Sequence, residues 1–168
     1  MLVRRATVQD YAGMCAVLNE VDAQHREALP HLFRDPCGVA RSRAYIAAII
    51  EDEDAGLWLA EREGQVVGVV HVSIRESGDI PILVPRRYAV IENLAVATGH
   101  RRRGIGRALM LAAEHWALGK GIAQVELHVY EFNQGARAFY EVLGYQTASR
   151  KMCRGLGGRE TPSEPGSL

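Results

Sequence analysis

The sequence predicts a single α/β domain in which a mixed, largely antiparallel sheet is flanked by helices. Two observations predict this class. Short β-branched runs alternate along the chain with segments whose apolar residues recur at the period of an amphipathic helix. Two of these runs, residues 57–61 and 65–74, surround Glu63-Gly64, a typical hairpin turn, so the two strands are antiparallel. The 168 residues, 48% of them hydrophobic, suffice for one buried core.

The first predicted elements are a short strand and a long helix. Residues 2–6 are apolar and basic, as in a brief strand. Thr7 follows as a helix N-cap, with Asp10 three residues later in a pattern close to a capping box. From Met14 the apolar residues repeat at i, i+3, i+4 and i+7, which predicts one buried face on a helix that ends within residues 26–28.

A second helix and the hairpin follow. Ser42 caps a helix that runs to Glu51, and Gly68 in the second hairpin strand indicates a bulge or a close approach by another backbone. Residues 29–41 and 77–87 contain prolines and glycines and are predicted as loops. The residues of the second helix expected to face inward are Tyr45, Ile46, Ile49 and Ile50.

The second half of the chain is predicted to continue as strand, helix, strand, helix and strand. The first strand ends at residues 94–96, and a short basic loop leads into a helix from Ile105 that Gly119 and Gly121 terminate. The remaining elements are a strand at 122–130, a helix from Asn133 to Gly144 and a strand at 145–153.

Composition excludes several classes of function. Lys plus Arg and Asp plus Glu number 20 each, so no overall field attracts nucleic acid or a membrane surface. The three cysteines lack a CxxC pair and the six histidines lack metal-ligand spacing, so we expect neither a disulfide framework nor a metal site. Without a signal core or a membrane-length apolar run, a cytoplasmic protein is expected. Residues 1–154 should form one domain, and 155–168, rich in Gly, Pro, Ser and charge, a disordered tail.

The junction between the strand ending at 94–96 and the next helix carries the strongest chemical signal. Gly104 and Gly106 let backbone N–H groups approach a ligand, and the first turn of the helix supplies unpaired N–H groups with a partial positive charge. This arrangement suits a phosphate or pyrophosphate. The chain has no Gly-x4-Gly-Lys-Ser/Thr string, and Leu109 stands where a dinucleotide fingerprint needs a small residue, so neither of those phosphate loops fits.

Two motifs together resemble a known family. The first is Arg101-x-x-Gly104-x-Gly106, and the second is Asn133-x-x-Ala136-Arg137-x-Phe139-Tyr140-Glu141-x-x-Gly144-Tyr145. With their flanking strands and helices, they resemble the coenzyme A loop of the GNAT acyl-CoA N-acyltransferases and the segment that follows the fifth strand in those enzymes. The similarity covers roughly residues 89–145.

The resemblance implies acetyl-CoA as the acyl donor, bound where strands four and five splay apart. Backbone groups of residues 94–96 would pair with the pantetheine arm, and the glycine loop would hold the pyrophosphate, with its arginines meeting other phosphates or solvent. No metal is implied. The residues implied in coenzyme binding are Leu94, Ala95, Val96, Arg101, Arg102, Arg103, Gly104, Ile105, Gly106, Arg107, Asn133 and Arg137.

Two side chains are implied as catalytic. Glu92 is the candidate base, acting directly or through a water, and burial in an apolar strand is expected to raise the pKa of its carboxyl group. Tyr140 stands where a tyrosine of many relatives can protonate the departing thiolate. Other interpretations stay open: Glu92 as a surface or ion-paired residue, Tyr140 as core, and His128 as a base or a satisfied strand histidine. Cys153 lies near no motif, which disfavours an acyl-cysteine route.

The implied reaction is transfer of the acetyl group to a primary amine by direct attack in a ternary complex, with a backbone N–H near Ala95 or Val96 for the oxyanion. The loops at 29–41 and 77–87 are expected to form the acceptor pocket, so the acceptor, a small-molecule or peptide amine, stays open. A homodimer is also possible. The alternative is a CoA-binding regulatory module without turnover. A nucleic-acid binder using HRRRGIGR is disfavoured by the zero net charge.

Overall fold

The computed structural model describes residues 1–36, 38–78 and 80–154. The tail expected at 155–168 lies outside the described residues. The elements, in chain order, are β1 (Leu2–Arg5), α1 (Tyr11–Ala28), α2 (Arg43–Glu51), β2 (Ala55–Arg62), β3 (Gln65–Glu76), β4 (Arg87–Val96), α3 (Ile105–Gly119), β5 (Val125–Leu127) and α4 (Gln134–Val142).

The five strands form one sheet in the order β1-β2-β3-β4-β5. Strands β1 to β4 pair antiparallel with their neighbours, whereas β5 runs parallel to β4. The last pair is parallel because α3 carries the chain back along the sheet before β5 begins. The structure therefore confirms the predicted mixed, largely antiparallel sheet flanked by helices.

Helices cover both faces of the sheet. On one face, Met14 of α1 and Ile46 of α2 pack against alternate residues of β2, β3 and β4. On the other face, Leu109 and Met110 of α3 pack against the remaining apolar residues of the same strands. Each of these side chains is almost completely buried, which contributes about 1.5–3 kcal/mol per side chain. The central strands are thus rigidly held from both sides.

Two local predictions about the hairpin are confirmed. Glu63 and Gly64 have φ angles of 54° and 75°, as a tight turn with two left-handed residues requires. Gly68 lies beside a bulge in the β2–β3 pairing, and a Cβ there would lie 2.9 Å from Leu109 Cδ1 and 3.0 Å from Ile105 Cγ2. The first turns of α3 therefore pack directly on the sheet, which sets the position of the helix N-terminus.

Three predictions about elements are wrong. The strand expected at 122–130 contains only the three residues of β5, and 145–153 forms no strand. Alternating apolar side chains report a preference for burial, whereas a strand also needs a backbone partner. Ile122 is buried in the turn after α3, where its N–H bonds the Ala117 carbonyl at 2.9 Å. Tyr45, expected to face inward, is 50% exposed.

Candidate active site

A gap opens between β4 and β5 halfway along β4. The ladder pairs residues 89–91 of β4 with Val125–Leu127, and β4 then continues alone on this side to Val96. This is the splay expected between the fourth and fifth strands.

The hydrogen-bonding pattern shows which backbone groups face the gap. Ala97, directly after β4, donates to the Val67 carbonyl at 3.0 Å, and alternate residues of an antiparallel pair face each other in this way. Ala95 therefore directs its N–H and C=O toward β3, while Leu94 and Val96 direct theirs into the gap. Of the two N–H groups expected near the oxyanion, only that of Val96 faces the gap.

A β-bulge in β4 places two polar side chains on the same face of the sheet. His71 opposes Asn93 and Val72 opposes Ile91, so Glu92 is an extra residue without a partner in β3. Because a bulge interrupts the alternation of side chains, Glu92 and Asn93 both lie on the face that α1 and α2 cover. The bulge thus brings polar groups to the edge of the gap.

The carboxylate of Glu92 is held by two hydrogen bonds. Its Oε1 accepts from Ser73 Oγ at 2.6 Å and from Arg75 Nη2 at 2.7 Å, and its side chain is 28% exposed. Burial raises the pKa of Glu92, but these hydrogen bonds, with the positive charge of Arg75 and the neighbouring His71, outweigh it, and the net pKa lies below its usual value. The expectation of a raised pKa is wrong. Glu92 is ionised at neutral pH.

His71 is a site residue that the sequence did not indicate. Its side chain shares the sheet face with Glu92, and the residue is 8% exposed. Burial lowers the pKa of the imidazole more than the charge of Glu92 raises it, so the ring is neutral at neutral pH. The feature of the sequence that could have indicated it is a histidine inside the apolar run of β3. His128, by contrast, is exposed and lines a groove outside β5.

The loop from Arg101 to Gly104 leads into the N-terminus of α3. Arg102 and Gly104 have left-handed φ angles of 60° and 77°, and a side chain at Gly104 would therefore strain the backbone. No side chain caps α3, so the N–H groups of its first turn are available to an anion. Arg102, Arg103 and Arg107 are exposed around this turn.

Arg101 has a structural contact that the motif did not predict. Its Nε donates to the Val96 carbonyl at 2.9 Å. Gln24 of α1, with its amide oxygen turned toward the guanidinium, accepts from Nη1 at 2.8 Å and from Nη2 at 3.0 Å. Arg101 thus ties the loop to the end of β4 and to α1, instead of facing solvent.

Gly106 is small for a packing reason as well. A Cβ at this position would lie 3.2 Å from Phe139 Cζ of α4 and 3.8 Å from Val96 Cγ2. Ligand approach, the reason that the sequence suggests for both glycines, is therefore only one of two reasons for Gly106. The same contacts place the first turn of α3 beside the end of β4 and beside α4.

The second motif forms α4, as predicted. Asn133 caps the helix, because its Oδ1 accepts the N–H of Ala136 at 3.0 Å, and Arg137 forms an ion pair with Glu131. Burial raises the pKa of Tyr140 to about 12, and within the described part of the chain its hydroxyl has no hydrogen-bond partner. Tyr140 lines a groove whose walls are β5, α4 and residues 143–151, and no described hydrogen bond links it to Glu92.

A cavity of about 390 Å³ lies on the α1–α2 side, with Asn93 as its contact with β4. Its walls come from α1, from the loop before α2 and from α2 itself, as expected for residues 29–41. The charged and aromatic residues of its lining are Asp22, Arg26, Phe33, Arg34, Arg41 and Tyr45. Since Asn93 follows Glu92 directly, the cavity adjoins the polar groups at the bulge.

In 1–36, 38–78 and 80–154, no three His, Cys, Asp or Glu side chains lie close enough together to share a metal ion. None of the helices described there combines the length and the apolar character that a membrane crossing requires.

Comparison with known proteins places this arrangement in context. A model of the acetyltransferase (GNAT) family matches residues 21–145. N-acetyltransferase family 8 member 3 of Rattus norvegicus is 34% identical over 92 residues, which are 53% of this chain and 37% of that protein. The chain thus spans well under half the length of this relative.

Two solved structures show the same fold. A mutant of the BH1408 protein from Bacillus halodurans superimposes with a TM-score of 0.88 at 25% identity, over 93% of this chain and 99% of that one. Aminoglycoside N-acetyltransferase AAC(6')-Iy in complex with CoA superimposes with a TM-score of 0.68 at 15% identity, over 94% of this chain and 100% of that one. The second likeness shows the fold alone.

Arg101→Gln is expected to lower the stability of the protein without any ligand. The change removes part-buried hydrogen bonds to the Val96 and Gln24 oxygens, which should cost about 1–3 kcal/mol. Thermal denaturation should show a midpoint several degrees lower. Arg103→Gln, an exposed arginine of the same loop, is the control. Equal midpoints for the two variants would show that Arg101 does not tie the loop to α1 and β4.

Proposed function

The chain belongs to the acetyltransferase (GNAT) family, and on that premise we propose that it transfers the acetyl group of acetyl-CoA to a primary amine by direct attack in a ternary complex. One observation carries the proposal: the open edge of β4 begins at the ionised Glu92, where β4 and β5 separate, and ends beside the uncapped N-terminus of α3. The edge and the helix suit the donor, and the carboxylate suits the amine.

The donor is proposed to bind in the gap. Leu94 offers its backbone N–H and C=O to the amides of a pantetheine arm, as an added strand would, whereas the Val96 carbonyl is already bonded by Arg101. The N–H groups at the start of α3 and the left-handed loop at Gly104 suit a pyrophosphate, which needs donors and positive potential. Arg102, Arg103 and Arg107 add mobile charge around it. The structure thus offers complementary groups along the whole path.

Asn133 and Arg137 are proposed to flank the coenzyme with the groups that their structural roles leave free. The Oδ1 of Asn133 caps α4, so its amide Nδ2 is the group that can donate. Arg137 is fixed by Glu131, which limits the positions its guanidinium can reach. Because these atoms are already engaged, both residues contribute chiefly to the shape of the α4 surface beside the coenzyme.

In the proposed reaction the amine nitrogen forms a bond to the thioester carbonyl carbon, and the carbon–sulfur bond breaks. The Val96 N–H is the proposed donor to the oxygen on which charge develops. Glu92 accepts the proton from nitrogen, directly or through a water, and His71 lies on the same face as a neutral second acceptor. A carboxylate with a lowered pKa is a weak base but holds an ammonium group well, so Glu92 also positions the amine.

Tyr140 is proposed to return a proton to the departing sulfur. Its hydroxyl stays protonated at neutral pH, since burial raises its pKa to about 12. Within the described residues the hydroxyl donates no hydrogen bond, so its proton is available to the sulfur. A group that is always protonated can act as an acid but not as a base.

Acetyl-CoA is expected to raise the midpoint of thermal unfolding. At a concentration of about a hundred times Kd it should stabilise the fold by about 2.7 kcal/mol, which corresponds to about 5–10 °C for a domain of this size. ATP and NAD at equal concentrations are the controls for phosphate binding alone. Without a shift by acetyl-CoA, the central assignment fails; an equal shift by a control nucleotide would indicate a general phosphate site.

Glu92→Gln is expected to lower kcat by about a hundredfold or more, because the amide accepts no proton. The midpoint shift with acetyl-CoA should persist, since Glu92 lies on the α1–α2 face. Glu76→Gln makes the same change at the end of β3, where the side chain is 78% exposed, and should retain activity. Because its pKa is lowered, Glu92 stays ionised below the pH at which an ordinary glutamate is protonated. Protonation of Glu92 should therefore cause no loss of kcat/KM above about pH 5. Unchanged kcat in Glu92→Gln would remove it from the mechanism.

Tyr140→Phe is expected to lower kcat while leaving acetyl-CoA binding intact, because only the acid is lost. The measurement is thiol release at saturating acetyl-CoA over a range of pH. Tyr88→Phe removes a hydroxyl near the start of β4, before the gap, that forms no hydrogen bond within the described residues, and serves as the control. If Tyr140→Phe turns over as fast as the unmodified protein, the tyrosine is a core residue and the thiolate is protonated by solvent.

A further inference from the structure

The cavity between α1 and α2 is positively charged in a way that amine transfer does not require. Arg26, Arg34 and Arg41 line it together with one acidic residue, Asp22. Asp22 binds Arg41 through both carboxylate oxygens, at 2.5 and 3.0 Å, so these two charges neutralise each other. Two positive charges of the lining are left.

These two charges have no partner in the described residues. Arg26 is half-buried on α1 and Arg34 lies on the loop before α2, and neither forms an ion pair or a side-chain hydrogen bond within 1–36, 38–78 and 80–154. Guanidinium groups present several donors that match a carboxylate, and charged hydrogen bonds of this type are strong. A pair of arginines that face one cavity without partners is therefore suited to bind an anion.

The opposite charge lies at the other end of the same space. Asn93 joins the cavity to β4, and the preceding residue, Glu92, is ionised. Ser73 and Arg75 both bind its Oε1, so Oε2, which has no hydrogen-bond partner among the described residues, is the oxygen that can accept from an ammonium group. An acceptor lying across the cavity would thus meet a carboxylate near the reacting strand and arginines farther out. This order of charges matches a molecule that carries an ammonium group at one end and a carboxylate at the other.

An aromatic cluster borders the cavity and suits an apolar side chain. Phe33 lines the cavity and lies 5.2 Å from the His25 ring and 5.7 Å from the Tyr130 ring. Phe132 extends the cluster at 5.6 Å from His25. His25 donates its Nδ1–H to the Val21 carbonyl, 3.0 Å away, which fixes its ring. The cluster is thus a preformed apolar surface.

We propose that the acceptor is a free α-amino acid with an apolar or aromatic side chain, whose carboxylate binds Arg26 and Arg34 in this cavity. The proposal rests on the proposed function and names the substrate class of the same site. The amino group points to Glu92, and the side chain packs on Phe33. A polycation such as an aminoglycoside is disfavoured, because the two unpaired arginines repel it.

The test compares acceptors that differ only in the carboxylate. Acetyl-CoA turnover is measured with each α-amino acid and with kanamycin. For the apolar and aromatic amino acids, the corresponding amides and the amines that lack the carboxyl group are measured as well. Phenylalanine, phenylalaninamide and phenethylamine form one such set. The expected result is a kcat/KM at least about tenfold higher for the amino acid than for its amide or amine, and no turnover of kanamycin. Equal values, or a preference for kanamycin, would overturn the proposal.

Variants locate the effect in the cavity. Arg26→Gln and Arg34→Gln should each reduce the preference for the amino acid over its amide, mainly by raising KM for the amino acid. Arg62→Gln makes the same substitution at the β2–β3 hairpin and should leave the preference intact. A preference that persists in Arg26→Gln and in Arg34→Gln would place the carboxylate elsewhere and overturn the assignment. The comparison of acceptors on the unmodified protein does not depend on the folding of any variant.

Failure of the proposed function would look different. If no amine is acetylated, the transferase assignment fails, and the carboxylate site is then judged by binding alone. Calorimetric titration with N-acetylphenylalanine and N-acetylphenylalaninamide, each with CoA present, makes the same comparison without turnover. Binding of the acid at least about tenfold tighter than the amide supports the site, and equal or absent binding of both overturns it.

Discussion

The separation of β4 from β5 after Ile91 is the constraint on which the rest of the site depends. A strand inside a sheet normally has both edges paired, and unpaired backbone groups in a buried place are costly. Here the edge of β4 beyond Ile91 is left open on one side, while β3 and the packing of α3 hold it firmly on the other. The open edge is therefore rigid, which suits it to bind an extended ligand by strand addition.

The same departure of β5 arranges the groups around the gap. The first turn of α3 lies beside the end of β4, because Gly68 lets the helix approach the sheet and Gly106 lets it approach Val96 and Phe139. Arg101 connects these elements. It donates to the Val96 carbonyl, which would otherwise face the gap unpaired, and to the amide oxygen of Gln24 in α1. One side chain thus joins the loop before α3, the open strand and the helix that lines the cavity.

Charge divides the site into two parts. The loop and the N-terminus of α3 are positive and open, as suits phosphate groups. On the other face of the sheet, Glu92 is held ionised by Ser73 and Arg75 within hydrogen-bonding distance. The cavity beyond it is lined by Arg26 and Arg34, which form no ion pair with any described residue. The bulge at Glu92 is what connects these parts, since it turns two consecutive polar side chains toward one face.

The sequence by itself determined the features that depend on neighbours along the chain. The hairpin at Glu63-Gly64, the cap at Ser42 and the start of α4 at Asn133 follow from local backbone chemistry. So do the order and class of the elements, apart from the strand expected at 145–153. Only the tertiary structure decided features that depend on groups distant in sequence: the sign of the Glu92 pKa shift, the neutral His71, the contact of Arg101 with α1, the position of Tyr45 and the length of β5. The physical reason is that a pKa, an ion pair or a strand pairing depends on where a second group lies. Local periodicity carries no information about which strand or side chain that second group will be.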